Sequence, residues 1–192
     1  MNKTSFLYVF FLLSGGIGNI NAQSLKELFL KMPQQVCPCL SEYNRLELVD
    51  NQKNDKPMQT RNMLQNYSKM TELTDDYAHL IVSANSEETF KLMPTDKGNS
   101  IIMVISTVMC DSINDSSVSF YTCAWEPLQA NDYFAEPVSP DFRRMTIDNA
   151  TNTLKVTTYT PLTLQTDGSD KPVIIPPTES TFKWTGSRFE PI

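Results

Sequence analysis

From residue 24 onward the apolar positions recur first at helical spacing and later at a period of two. Leu25, Leu28, Phe29 and Met32 share one helical face. Ser24 stands three positions before Glu27, the pattern of a capping box in which each side chain accepts from the other's backbone N–H. Pro33 has no N–H and restricts Met32, so the helix ends before it. Residues 34–40 then link to a second short helix, with Ser41 as its cap and Tyr43, Leu46 and Val49 as its inner face. Residues 51–57 read as a charged loop. Pro57 suits the first turn of a third, weaker helix to Tyr67, with Met58, Met63, Leu64 and Tyr67 as its contacts.

Beyond Met70 the pattern is that of strands. "YAHLIVSA" (77–84), "TFKLM" (89–93), "SIIMVISTVMC" (100–110) and "SVSFYTCAW" (117–125) are β-branched and aromatic, with polar turns between them. Asn85-Ser86, Asp96-Lys97-Gly98 and Asn114-Asp115 are the expected hairpin tips. Strands joined this tightly pair antiparallel, because parallel neighbours need a long crossover. Residues 126–144 are irregular and carry Pro127, Pro137 and Pro140. The strand pattern resumes in "TLKVTTYTPLTLQ" (153–165) and "STFKWTGSRFEPI" (180–192), where Phe182 and Trp184 share a face and Gly186 permits a turn that returns Phe189. "PVIIPP" (172–177) lacks too many donors for a central strand. Helices followed by strands predict an α+β domain, with N-terminal short helices packed on an antiparallel β-sheet meander. The helical segment spans 23–68 and the β region 69–192, and the sheet can divide into two sub-sheets at 126–144.

Residues 1–22 have the build of a secretory signal peptide: Lys3, an unbroken apolar run over 6–13, and a small, polar stretch ending at Ala22. That run is too short to span a bilayer, which takes about twenty residues, and no other run is long and apolar enough. A soluble protein, periplasmic or secreted, with no membrane span after signal cleavage is expected. The formal net charge is −6, from 16 basic and 22 acidic residues, and only Arg143 and Arg144 are adjacent basics. Without a basic block the chain is a poor partner for nucleic acid or anionic lipid, and no nucleic-acid partner is expected.

Candidate chemistry is sparse. Cys37, Cys39, Cys110 and Cys123 are an even set, which in an exported chain allows three pairings. A Cys37–Cys39 bridge closes a small, strained ring and ranks last. A tip at Asn114-Asp115 puts Cys110 and Cys123 out of direct opposition and favours cross-links to the 37–39 segment instead. The four thiols read as structural anchors, buried or disulfide-bonded. The competing reading, a metal or redox site, lacks the C-x-x-C spacing that such sites use. His79 is the single histidine and shares a strand face with Tyr77 and Ile81. A multi-histidine metal centre is therefore excluded, and any nucleophilic triad must use this ring. Acid pairs for a hydrolase are available at Asp75-Asp76, Glu87-Glu88 and Asp111 with Asp115, and no spacing singles one out. "DGSD" (167–170) lacks a calcium-loop register, and six glycines, three of them in the leader, leave no nucleotide cradle. No catalytic, cofactor-binding or metal residue is assigned, and no cofactor is expected. Tyr121, Trp125, Tyr133, Phe134, Trp184 and Phe189 read as core packing rather than a sugar- or peptide-binding surface.

"SLKELFLKMP" (24–33), "NRLELVD" (44–50), "KMTELTDDYAHLIVS" (69–83) and "VSFYTCAWEPL" (118–128) occur in an order that resembles a Bacteroidales family of exported proteins, domain-of-unknown-function family 3256. The resemblance covers residues 24–128 and is looser beyond. It implies a Gram-negative envelope location and brings no catalytic residue or activity with it. It also implies O-glycosylation at Ser112, since Asp111-Ser112-Ile113 is similar to the Asp-Ser/Thr-apolar acceptor of such bacteria. The expected role is non-catalytic, binding an envelope protein or glycan. The alternatives are a carboxylate-based hydrolase of envelope polysaccharide or peptide, and a small-ligand carrier. Mass spectrometry of protein purified from its native cells is expected to find a mature chain starting at Gln23, with added glycan mass on Ser112. An intact leader or an unmodified Ser112 refutes the respective expectation.

Overall fold

The computed structural model describes residues 23–52, 58–110, 113–135, 142–159 and 176–192. The leader, the "DGSD" segment, most of "PVIIPP" and the Ser112 acceptor lie outside the described residues. Helix α1 (Leu25–Leu30) starts as its sequence dictates, with Ser24 extended and its Oγ accepting from Glu27 N at 3.4 Å. Leu25, Leu28, Phe29 and Met32 are buried. Helix α2 (Glu42–Gln52) carries the reciprocal capping box: Asn44 N donates to Ser41 Oγ at 3.1 Å, and Ser41 N donates to Asn44 Oδ1 at 3.1 Å.

The inner face of α2 corrects the sequence expectation. Tyr43 and Leu46 are 71% and 46% exposed, while Asn44, Arg45, Leu48 and Val49 turn inward. Two polar side chains fix that rotation. Asn44 Nδ2 donates to Arg61 O at 2.9 Å, and Arg45 donates to Leu40 O at 2.9 Å. The third helix expected over 57–67 is also overturned. Its place is taken by strand β1 (Thr60–Arg61), a turn, and the start of β2 (Tyr67–Leu73). Asn62 builds the turn, its Oδ1 accepting from Leu64 N and Asn66 N while its Nδ2 donates to Ser68 Oγ and Val82 O. An Asn that offers the backbone such partners competes with helix, so Met58, Met63, Leu64 and Tyr67 end exposed rather than packed.

The chain then runs as a meander: β3 (Tyr77–Ser83), β4 (Ser86–Pro94), β5 (Ser100–Cys110), β6 (Ile113–Thr122) and β7 (Pro127–Leu128). Strands β1 to β7 form one seven-stranded sheet in sequence order, antiparallel throughout. The hairpin tip placed at Asn114-Asp115 is corrected, because both residues are in β6 opposite Met109 and Val108, and the pairing continues to Cys110 opposite Ile113. The 126–144 stretch holds more order than its prolines suggest: β7, a short helix α3 (Ala130–Tyr133) and the start of β8 (Phe142–Asp148). With β9 (Thr153–Tyr159), β10 (Thr178–Trp184) and β11 (Phe189–Pro191), β8 makes a second antiparallel sheet in the order β11-β10-β9-β8. The division into two sheets is thus present, and the fold is mostly β with a small helical part.

The layers follow from β4, β5 and β6. On one side Phe90, Leu92, Ile102 and Val104 pack under α1 and α2, with Phe90 edge-on to Phe29 and Trp125 at 5.5 and 6.4 Å. On the other side Met93, Ile101, Met103, Ile105, Val118 and Phe120 meet Met145, Ile147, Leu154, Val156, Trp184 and Phe189 of the second sheet. Hence Ile101 to Ile105 are buried without interruption, as a strand covered on both faces requires. Trp184 Nε1 donates to Pro94 O at 2.6 Å across the sheets. Gly186 takes φ +98°, which any other residue adopts only with strain, and a Cβ there would also displace the Asp96 side chain.

Lys91 lies in the same row as Tyr77 and Met103, between the sheets, with its side chain 2% exposed. Its Nζ donates to Asp76 Oδ2 at 2.5 Å and to Asn149 Oδ1 in the β8–β9 turn at 2.7 Å. Burial alone raises the Asp76 carboxyl, but the hydrogen bond and charge of Lys91 outweigh it and hold the group below its ordinary range. Removing one partner strands a buried charge, whereas replacing the cation by an apolar chain of similar volume does not. Asp76→Asn is therefore expected to cost about 3 kcal/mol in a denaturant melt and Lys91→Met about 1 kcal/mol or less. The reverse order refutes this account.

Candidate functional site

The Cys37-Pro38-Cys39 segment is a tight turn. Leu40 N donates to Cys37 O at 3.1 Å, and Pro38 sets the φ that the turn requires. The turn is tied down by Met63 N donating to Cys39 O at 3.0 Å and by Gln34 Nε2 donating to Pro38 O at 2.6 Å. This geometry brings the two sulfurs to 3.4 Å. Cys37 is 2% exposed and belongs to the helix-side core, while Cys39 is half-buried at its edge.

Glu88 of β4 faces the same side as Phe90 and Leu92 and accepts from Ser106 Oγ at 2.7 Å. Burial, reinforced by the charge of Cys39, pushes its carboxyl up to about 7. The two thiols diverge. The S–H of Cys37, hydrogen-bonded to Cys39 and buried, is held far above its ordinary range, and the same hydrogen bond lowers Cys39 to about 7. Cys39 is thus a partly accessible thiol that ionises near neutrality beside a buried one, the arrangement that makes cysteine reactive. Arg45 of α2 is close enough for the charge of Cys37 to act on its guanidinium.

All four cysteines are free thiols. Cys110 is exposed at one end of β5, opposite Ile113. Cys123 follows Thr122, which pairs with Ile101 at the other end, so the two thiols are separated by about 30 Å of strand. Cys123 is half-buried against the helix-side core and donates to Ser100 O at 3.3 Å. Among the described residues no three acidic, histidine or cysteine groups converge as metal ligands.

On the opposite face His79 joins a polar row. Thr71 Oγ1 lies 2.6 Å from His79 Nδ1, His79 Nε2 lies 3.6 Å from Glu87 Oε2, and Arg144 of the second sheet donates to Glu87 Oε1 at 3.2 Å. The order hydroxyl, imidazole, carboxylate imitates a triad. However, the Thr71 hydroxyl also donates to His79 O at 3.1 Å, and the carboxylate is taken up by Arg144 of the second sheet. The row instead latches the two sheets. Nor do the paired acids converge: Glu87 and Glu88 point to opposite faces of β4, and Asp76 is held by Lys91. Trp125, Phe134, Trp184 and Phe189 are buried in the cores, and Tyr121 and Tyr133 are half-buried beside them.

Sequence reasoning named Glu88 only as half of an acid pair. Its signal was parity, because a carboxylate in step with Phe90 and Leu92 must enter the core. A carboxyl raised from 4.5 to about 7 on folding stabilises the native state below pH 4.5, and this contribution is lost as pH rises through 7. The stability of the wild type relative to Glu88→Gln is expected to fall by about 3 kcal/mol at most between pH 4.5 and 7.5, measured by urea melts. A flat difference refutes the assignment.

A solved structure, "Structure of a domain of an uncharacterized protein from Porphyromonas gingivalis W83", is similar to this chain with a TM-score of 0.67 at 18% identity, covering 89% of this chain and 98% of that one. At that identity the likeness establishes the fold alone. No curated protein matches the chain. A family model matches residues 17–152, well over half of the sequence, and the chain therefore belongs to the family described as Protein of unknown function (DUF3256).

Proposed function

We propose that this protein is exported and acts by binding another protein of the cell envelope through the uncovered face of β2 and β3. The observation that carries this reading is where the second sheet stops. It covers β4, β5 and β6 and takes only Tyr77 from β3. Beyond that border Tyr67 and Ile81 share a face and stay 59% and 38% exposed. They line a shallow hollow of about 310 Å³ with Gln59, Gln65, Asn66, Ser83 and Ala84.

Exposed apolar groups set among polar ones are the usual make-up of a protein contact, and Met63 and Leu64 in the adjoining turn extend the surface. Arg61 opposes Tyr67 and Lys69 opposes Ile81, so the face is basic as well as apolar. It fits an apolar segment carrying carboxylates better than a neutral glycan. The edge of β2 is a poorer route, because the irregular pairing between Met70 and Glu72 and the charges on Lys69 and Glu72 guard it against strand addition. Export is supported by the leader pattern of residues 1–22. The membrane-span criterion is met by no helix among the described residues.

A photo-crosslinking residue placed at Tyr67 is expected to give one discrete protein adduct in the cells that make the chain. The same residue at Glu190, on the second sheet, is expected to give none, and Ile81→Asp should abolish the Tyr67 adduct. An adduct at Glu190 with none at Tyr67 overturns the proposal.

A further inference from the structure

We propose that Cys37 and Cys39 form a reversible dithiol–disulfide couple, in which Cys39 takes up an external disulfide and Cys37 resolves it. The reading rests on the cluster in space. The Pro38 turn holds the sulfurs 3.4 Å apart, one buried in the core and the other partly open to solvent. Bond formation requires closure by roughly 1.4 Å to the length of a disulfide. Cys37 and Cys39 are adjacent but for one residue, so the ring is small, and the strain that ranks it last as a structural staple makes the bond readily reducible. An easily reduced bond suits exchange rather than reinforcement.

The step balances as follows. The Cys39 thiolate attacks one sulfur of an external disulfide R–S–S–R′, forming a Cys39–S–R bond and expelling R′–S⁻. The buried Cys37 thiol passes its proton to the Glu88 carboxylate, and its sulfur attacks Cys39 Sγ, forming the internal disulfide and expelling R–S⁻. Glu88 returns that proton to R–S⁻, and R′–S⁻ takes up the one that Cys39 released on ionising, so the protein loses two electrons and two protons and the external disulfide becomes two thiols. The groups facing the pair support this division of labour. Glu88 comes from β4, close enough for its charge to act on Cys37, and Arg45 comes from α2 to favour negative charge in the pocket. Cys39 ionises near neutrality while Cys37 does not, which fixes which sulfur attacks first.

The test uses the reduced full chain in oxidised and reduced glutathione, quenched with acid, alkylated, and read by peptide mass spectrometry. In the wild type the peptide carrying both thiols is expected to lose two hydrogens, reversibly. Its oxidised-to-reduced ratio should rise in proportion to oxidised glutathione and fall with the square of reduced glutathione, as an internal bond requires. Cys37→Ser should instead accumulate a glutathione adduct on Cys39, and Cys39→Ser should leave Cys37 unmodified, with circular dichroism confirming that both fold. In Glu88→Gln the mixed disulfide on Cys39 should persist roughly a hundredfold longer than in the wild type. Thiols that stay alkylatable at every ratio, a wild-type product identical to the Cys37→Ser adduct, or a bridge to Cys110 or Cys123 each overturn the couple. Resolution at an unchanged rate in Glu88→Gln overturns the assignment of the proton to that carboxylate.

Discussion

The structure depends on burying both faces of β5. Ile101 to Ile105 leave no polar face to present to water, so the sheet must be covered twice, by α1 and α2 on one side and by a second sheet on the other. Each fully buried side chain of this kind contributes about 1.5–3 kcal/mol. The indole N–H groups close the layers, Trp125 to Leu28 O beneath the helices and Trp184 to Pro94 O between the sheets. An amphipathic β5 would have been satisfied with one cover.

That double cover decides the fate of every polar residue caught inside it. Lys91 is admitted because Asp76 and Asn149 meet its ammonium, and Glu88 because Ser106 donates to it and burial pushes its carboxyl up to about 7. Asn62 and Arg45 donate to backbone carbonyls and in doing so set a turn and the rotation of a helix. The two features that suggest function are margins of the same layering. The second sheet ends before β2 and leaves Tyr67 and Ile81 bare, and the loop between α1 and α2 ends with one thiol inside the core and one at its rim.

Much of the fold was legible in the chain because its signals are local. The Ser24 cap, Pro33, the strand pattern of 77–125 and the turn at Gly186 each act over a few residues, and each element stands where those residues put it. The misreadings arose where local and distant partners compete. Residues 57–67 had helical spacing, but the bonds of Asn62 to Ser68 and Val82 outweighed it, and the inner face of α2 was chosen by Asn44 and Arg45 rather than by Tyr43 and Leu46. Strand β8 was hidden among prolines, since only its stacking on β6 supplies the reason for Met145 and Ile147 to alternate.

The sequence by itself determined the α+β class, the antiparallel order of neighbouring strands and the presence of paired thiols, all consequences of spacing along the chain. Tertiary structure alone decided which thiol is buried, that Glu88 shares its pocket, that Glu87 joins His79 of its own sheet to Arg144 of the other, and which stretch of sheet faces solvent. Burial and proximity between distant segments depend on which layers cover which faces, and one-dimensional periodicity carries no record of that choice.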